Sequence, residues 1–318
     1  MKPASVIIQT NGLTKVYGGA AGKKAVDAVT FAVERGEIFG FLGPNGAGKT
    51  TTIRLILDLL RPTQGEVHVF GLHSIRDSVA IRQRIGYLPG ELNLWNDRTA
   101  LQIIQYCGKM RGKLDMHYVH ELAERLDFDM TRKIRTYSTG NKRKLGLILA
   151  LMNRPELLIL DEPTTGLDPL MQQTFITLMR EARAAGQTIF LSSHMLSEVQ
   201  AICDRVGIIR EGRLRAVERV EKLTHVDFRW VSLRFREPVA ADLLAHLPGA
   251  AKVETNGRTV RLRYTGDFDP LLRAISPYYV ENLQVQEPTL EEIFLSYYNN
   301  NGEQASSRLA APEMEAVS

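Results

Sequence analysis

Short unbroken apolar runs alternate along this chain with stretches at helical spacing. Glu37-Ile38-Phe39-Gly40-Phe41-Leu42, Leu157-Leu158-Ile159-Leu160 and Thr188-Ile189-Phe190-Leu191 are mostly apolar, which predicts buried strands. A helix is expected between the last two, from Pro169 to about Ala185, and another after Thr51, with apolar residues recurring through Leu60. Residues 5 to about 35 read differently. Val6-Ile7-Ile8 and Ala28-Val29-Thr30-Phe31-Ala32-Val33 are separated by glycines and predict an antiparallel sheet, with a further strand at Glu66–Phe70. Ala100 to about Met152 is mostly helical in pattern. The whole predicts an α/β core carrying an antiparallel β subdomain and an inserted helical block.

The character changes near Arg215. Beyond it the pattern predicts strand (Asp227–Arg236), helix (Ala240–Leu247), hairpin (Val253–Tyr264), helix (Pro270–Ser276), strand (Val280–Gln284) and helix (Thr289–Tyr298). Asn256-Gly257 sits between two alternating runs, a strong hairpin signal. The order β-α-β-β-α-β predicts a small α+β ferredoxin-like domain. The expected division is therefore 1–217, 218–300, and a disordered tail over 301–318, which is polar and acidic.

Composition narrows the setting. The chain has 318 residues, enough for two domains, and a net charge of +4 with a pI near 9.0. That mild basicity suits an anionic membrane surface or nucleic acid without choosing between them. No apolar run approaches the ~20 residues that cross a bilayer. Met1-Lys2-Pro3-Ala4-Ser5 lacks the apolar core of a signal peptide. Cys107 and Cys203 stand far apart without metal-ligand spacing, as expected of a reduced cytosolic setting.

The chemistry is concentrated in a few segments. Gly43-Pro44-Asn45-Gly46-Ala47-Gly48-Lys49-Thr50 has the spacing of a phosphate-binding loop, set between a predicted strand and a predicted helix. Its glycines let backbone N–H groups turn inward around a triphosphate at a helix N-terminus. Lys49 is expected to reach the β and γ phosphates and the Thr50 hydroxyl to coordinate Mg2+. Gly43, Pro44, Asn45, Gly46, Ala47, Gly48, Lys49, Thr50 and Thr51 form the expected ATP-binding set. Asp161 and Glu162 end a buried strand: the first suits Mg2+, the second can polarise the attacking water. His194 follows Leu191-Ser192-Ser193 at the carboxyl end of another strand, where ligands of α/β sheets sit, and can hydrogen-bond a γ-phosphate. Ser138 in Tyr137-Ser138-Thr139-Gly140-Asn141 reads as a helix N-cap, as does Asp168 in Asp168-Pro169.

Taken in order, residues 6 to about 217 resemble an ATP-binding-cassette ATPase, the nucleotide-binding subunit of an ABC transporter. Gly43–Thr50 is similar to the Walker A loop of that family, Tyr137–Asn141 to its signature, Leu157–Glu162 to its Walker B. Thr165-Gly166-Leu167-Asp168 resembles its D-loop, His194 its switch histidine, and Tyr17 the aromatic residue that stacks on adenine. The resemblance implies two cassettes packed head to tail, with Ser138 and Gly140 of one facing the phosphates held by Lys49 of the other. Homodimerisation, or pairing with a paralogue, follows from a single cassette per chain. Two departures stand out. The signature reads Tyr-Ser-Thr-Gly-Asn rather than Leu-Ser-Gly-Gly-Gln. Tyr87-Leu88-Pro89 is followed by Gly90 and Glu91 where the family usually has glutamine, so that role is unassigned, with Glu91 a substitute to test.

Two functions remain to be weighed. The first is a motor for an integral membrane permease on a separate chain, at the cytoplasmic face of the cell membrane. Glu287-Pro288-Thr289-Leu290-Glu291-Glu292-Ile293-Phe294 resembles the ending of cassettes paired with ABC-2-type permeases, mostly exporters, and the segment Gly86 to about Tyr106 would face the permease. The second is a soluble cassette acting on nucleic acid or ribosomes. Translation-type members carry two cassettes, and repair types a long coiled coil between the Walker motifs; here Thr50 to Asp161 has no sustained heptads. Arg residues interleave with apolar ones in Phe228–Arg236 and Val260–Tyr264, but the RNP pattern is absent. The first reading is therefore preferred.

Overall fold

The computed structural model describes residues 6–18, 22–112, 114–221, 228–240, 242–286 and Pro288. The expected helix Thr289–Tyr298 and the expected tail lie outside the described residues. Packing divides the chain into two compact units, the first ending at Glu221.

In the first unit, β1 (Val6–Tyr17) and β2 (Lys23–Glu34) pair antiparallel. β3 (Ile38–Leu42) leads into α1 (Lys49–Ile56), then β4 (Gln64–Val69), β5 (Leu72–His73), α2 (Ser78–Gln83) and β6 (Ile85–Leu88). The helical block holds α3 (Ala100–Arg111), α4 (Met116–Arg125) and α5 (Thr139–Leu151). β7 (Leu157–Asp161), α6 (Pro169–Ala184), β8 (Thr188–Ser193), α7 (Leu196–Ile202), β9 (Arg205–Arg210) and β10 (Arg213–Arg219) complete it.

These strands form two sheets, β2-β1-β4-β5 and β10-β9-β3-β8-β7-β6. In the larger sheet β9, β3, β8, β7 and β6 run parallel and β10 is antiparallel. All residues of β3, β7 and β8 are buried, as expected for strands covered on both faces. One apolar cluster joins the two sheets. Phe31 of β2 stacks on Phe39 and Phe41 of β3 and Phe190 of β8, with ring centroids 5.4–5.9 Å apart.

Strand order decides where the chemistry goes. β8 lies between β3 and β7, and β6 lies outside β7. The carboxyl ends of four neighbouring parallel strands thus carry the phosphate loop, His194, the acid pair and Gly90 side by side. Helix α1 is shorter than its apolar pattern predicts. It stops at Ile56 because Asp58 turns into the left-handed region at φ 53°, so Leu57 to Leu60 leave the helix.

The second unit holds β11 (Phe228–Phe235), α8 (Asp242–Ala245), β12 (Ala250–Asn256), β13 (Thr259–Thr265), α9 (Asp269–Ile275) and β14 (Val280–Gln286). Its antiparallel sheet has the order β12-β13-β11-β14. Val231, Leu233, Phe235, Val260, Leu262 and Tyr264 bury one face against Leu244, Leu271 and Ile275 of the helices. The β12–β13 turn is Gly257-Arg258, since Asn256 still pairs with Thr259; Gly257 is at φ 62°, a conformation that glycine adopts without steric penalty. Among the described residues no helix is long and apolar enough to cross a membrane.

Candidate nucleotide site

The phosphate loop turns on Gly48. Its φ is 110°, and a Cβ there would lie 2.5 Å from the Ala25 carbonyl, so only glycine fits. Gly48 is also the N-cap of α1, and no side chain caps that helix. The opening N–H groups of α1 therefore have no partner within the helix and no cap. That arrangement suits an anion.

The side chains at the four strand ends converge. Lys49 is buried, and its Nζ donates to the carbonyls of Gly43 (2.7 Å) and Pro44 (3.1 Å). The same Nζ lies 3.0 Å from Glu162 Oε1. His194 Nδ1 is 2.6 Å from Glu162 Oε2. Each oxygen of the Glu162 carboxylate thus faces one basic partner, from β3's loop and from β8. Glu162 adopts φ 51°, in the left-handed region where a non-glycine residue costs about 1–2 kcal/mol.

Asp161 is wholly buried. Ser192 Oγ donates to its Oδ1 at 2.6 Å and accepts from the Glu162 N–H at 3.0 Å. Oδ2 is buried with no hydrogen-bond partner among the described residues. Behind them, Ser193 Oγ donates to Glu198 Oε2 at 2.5 Å, and burial pushes the Glu198 carboxyl above its usual range against the pull of that bond.

Lys23, Lys24, Asn45, Gly46, Gly48, Lys49, Thr50, Thr51, Gly90, Arg143, Glu162 and His194 are among the residues lining one cavity of about 690 Å3. Its volume matches a small-molecule site. Of the expected nucleotide set, Asn45, Gly46, Gly48, Lys49, Thr50 and Thr51 line it; Gly43, Pro44 and Ala47 shape the loop beneath. Tyr17 is 44% exposed at the end of β1, with Lys15 Nζ 5.6 Å from its ring centroid, and is not among the lining residues. Ser138, Gly140 and Asp168 stand apart from it. Ser138 caps α5 by accepting the Asn141 N–H at 3.2 Å, and Asp168 caps α6 by accepting the Met171 N–H at 3.0 Å. A Cβ on Gly140 would meet the Gly166 carbonyl at 2.8 Å, so the start of α5 packs on the segment before α6.

The residues fit a magnesium nucleotide. The orphaned Oδ2 of Asp161 is a hard oxygen without a donor, and Thr50 lines the adjoining cavity. Among the described residues no group of three His, Cys, Asp or Glu could hold a metal unaided. Mg2+ is commonly held by one or two protein oxygens with phosphates supplying the rest.

Ser192 and Arg143 were not picked out by sequence reasoning, nor were Lys23 and Lys24 of the cavity lining. Ser192 is one of two adjacent serines, and nothing in its spacing marks it as the partner of Asp161. Arg143 sits in Lys142-Arg143-Lys144, which the sequence places only within a helical run. It is 4% exposed and donates to four backbone carbonyls at the strand ends.

Comparison with known proteins gives a consistent set. A family model described as ABC transporter matches residues 26–165. The bacitracin transport ATP-binding protein BcrA of Bacillus licheniformis is 41% identical over 213 residues, 66% of this chain and 69% of that protein. The linearmycin resistance ATP-binding protein LnrL of Bacillus subtilis is 32% identical over 306 residues, covering 91% and 97%. The daunorubicin resistance ATP-binding protein DrrA3 of Streptomyces coeruleorubidus is 35% identical, covering 92% and 96%. A solved structure of an ATP binding subunit of an ABC transporter aligns with a TM-score of 0.61 at 29% identity, over 68% of this chain and 91% of that one.

Proposed function

Because this chain belongs to the ABC transporter family of ATP-binding proteins, we propose that it binds and hydrolyses Mg-ATP to power an ABC-2-type exporter. The observation that carries this reading is the meeting of Lys49, Glu162 and His194, from three adjacent strand ends, at one edge of the cavity.

The geometry supports the following roles. Lys49 shares its charge between two loop carbonyls and Glu162, so a triphosphate in the loop draws it toward the β and γ phosphates. Glu162 then keeps His194 on one oxygen and frees the other for a water. His194 is 43% exposed at the cavity edge, within reach of a terminal phosphate. Thr50 and Asp161 would hold Mg2+, which when bound offsets charge on the phosphate oxygens. Tyr17 is assigned to the adenine, and Ser138 and Gly140 to the nucleotide of a second cassette, with Asp168 at the same junction. A second copy or a paralogue completes the pair. An integral membrane permease on a separate chain would be the driven element, which puts the chain at the cytoplasmic face of the cell membrane. Export is favoured by the resistance proteins among the relatives. Residues 1–217 would form the cassette and 218–300 an accessory domain.

The test is a pair of substitutions in the purified full-length chain. Glu162→Gln should bind ATP as the parent does, lose turnover and lengthen the lifetime of the ATP-held dimer. Lys49→Ala should abolish nucleotide binding. Normal hydrolysis by the first, or unchanged nucleotide affinity in the second, refutes the corresponding role. Co-purification with the product of a neighbouring reading frame that encodes about six apolar spans tests the partner.

A further inference from the structure

We propose that Arg143 is a positioning residue of the hydrolytic step, which fixes Glu162 by its main chain and ties it to the Gly90 turn and to helix α5. The proposal rests on the reading of Glu162 as the base.

Arg143 Nη1 donates to the carbonyls of Pro89 (2.7 Å) and Gly90 (3.3 Å). Nη2 donates to the carbonyl of Asp161 (3.1 Å) and to that of Glu162. β6 and β7 run parallel with Leu88 opposite Leu160. Where their ladder ends, the guanidinium takes over and spans the two departing chains. A planar fork can hold two pairs of acceptors at once; an ammonium cannot.

The Glu162 main chain is then held from both sides. Its N–H goes to the Ser192 carbonyl (3.2 Å) and hydroxyl (3.0 Å), and its carbonyl accepts from Arg143 and from the Thr165 N–H (3.2 Å). Its backbone lies in the left-handed region, so the direction of the carboxylate depends on what holds those two peptides. Arg143 holds one of them.

A stabilising ion pair does not account for this residue. Among the described residues Arg143 forms no ion pair within 4.0 Å. Burial pulls the guanidinium below its usual range, and only the more distant fields of Asp161, Glu162 and Glu198 oppose this. Replacing a buried ionic group by a well-packed apolar side chain of similar volume is often neutral or stabilising, so stability alone is weak grounds for the guanidinium. Its distinctive contribution is geometric. It also lines the nucleotide cavity, and it lies on α5 little more than one turn beyond the Ser138 cap. A shift of that helix carries the guanidinium with it, and so moves the peptide of Glu162.

The test compares Arg143→Lys and Arg143→Met in the full-length chain, by steady-state Mg-ATP hydrolysis and direct ATP binding. We expect kcat to fall at least about 30-fold in the Met variant and about 10-fold in the Lys variant, with KM and ATP affinity within about 3-fold. Arg143→Ala should regain turnover on addition of millimolar guanidinium ion, a readout that a packing role would not move. Should the Met or Ala variant fail to fold, the Lys variant decides alone. A Met or Lys variant with kcat within about 2-fold of the parent overturns the proposal. So does a loss of kcat matched by an equal loss of ATP affinity, or an Ala variant deaf to guanidinium. Turnover surviving in Glu162→Gln instead overturns the reading beneath it, whereas an inactive Glu162→Gln beside a normal Arg143→Met overturns this proposal only.

Discussion

Ser192 offers a direct test of how the acid pair is supported. Its hydroxyl gives the Asp161 carboxylate its one hydrogen bond among the described residues, at 2.6 Å, with both side chains fully buried. Replacing Ser192 by Ala leaves both oxygens of a buried carboxylate without a donor. A hydrogen bond to a charged group contributes about 1.5–3 kcal/mol, and the loss is felt in full where water cannot substitute. The second bond removed, from the Glu162 N–H, adds little, because that N–H retains the Ser192 carbonyl at 3.2 Å. The expected destabilisation is therefore about 2–3 kcal/mol, or a fall of about 4–12 °C in the midpoint of a unit of this size. The two tryptophans lie in different units, Trp95 in the first and Trp230 in the second. Urea unfolding followed through Trp95 in a Trp230→Phe background thus reports the unit that matters. The midpoint should move without a change in slope. A loss under about 0.5 kcal/mol would show that Asp161 does not depend on this hydroxyl, and would refute the reasoning.

Three further outcomes are expected. Arg84 clasps Glu156 at 2.7 and 2.8 Å, with Arg35 at 3.3 Å, and holds its carboxyl down to about 2 from 4.5. A lowered acid contributes stability above its unfolded value that is lost as pH falls through the folded one; with Glu156 45% exposed, screening reduces this to about 1 kcal/mol. Glu156→Gln should cost that much at pH 7 and nothing near pH 2, read by acid titration of the unfolding midpoint; an equal loss at both ends would contradict the ion-pair account. For Glu198 the sign reverses. Burial raises its carboxyl, so the folded state loses stability as pH climbs from the unfolded value toward the folded one. Glu198→Gln should match the parent at low pH and equal or exceed it at neutral pH, and a variant less stable at neutral pH would contradict this. Gly140→Ala places a Cβ 2.8 Å from the Gly166 carbonyl and should destabilise by about 1–3 kcal/mol in the same urea assay; unchanged stability would show that the segment gives way freely.

The phosphate loop, the acid pair and the histidine were legible because each couples a residue type to a local element: strand then glycine-rich turn, strand then Asp-Glu, strand then His. Local sequence carries those signals whole. It does not carry strand order, and strand order is what places β8 between β3 and β7, and so brings Lys49, Glu162 and His194 within 3.0 Å contacts. The helix after the loop was overextended because apolar spacing continues through Leu60, while the chain turns at Asp58 through a backbone conformation that spacing does not register. Arg143 was hidden for a similar reason. Between two lysines in a helical run it carries no signal of its own, and only the fold shows that the α5 face bearing it is turned toward the strand ends.

Gly90 acquires a different meaning from the same geometry. Against the family pattern it reads as a missing glutamine. In the structure, a Cβ at Gly90 would lie 3.1 Å from Asp161 Oδ2, the oxygen that has no hydrogen-bond donor. A side chain there would crowd that atom, and the Asp161 carboxylate or the turn would have to give by a few tenths of an ångström, so glycine at this position relieves a close contact. The turn that glycine leaves without a side-chain anchor is held through its carbonyls, by Arg143. Relief and tether form one arrangement: the glycine spares Oδ2 that contact, and the arginine keeps the glycine in register with Glu162. It follows that Gly90→Ala and Arg143→Met should interact strongly in a double-mutant cycle on kcat, because Arg143 directly holds the turn that Gly90 forms. Strict additivity of the two losses would mean that the turn and the acid strand are positioned independently, and that Gly90 needs another explanation.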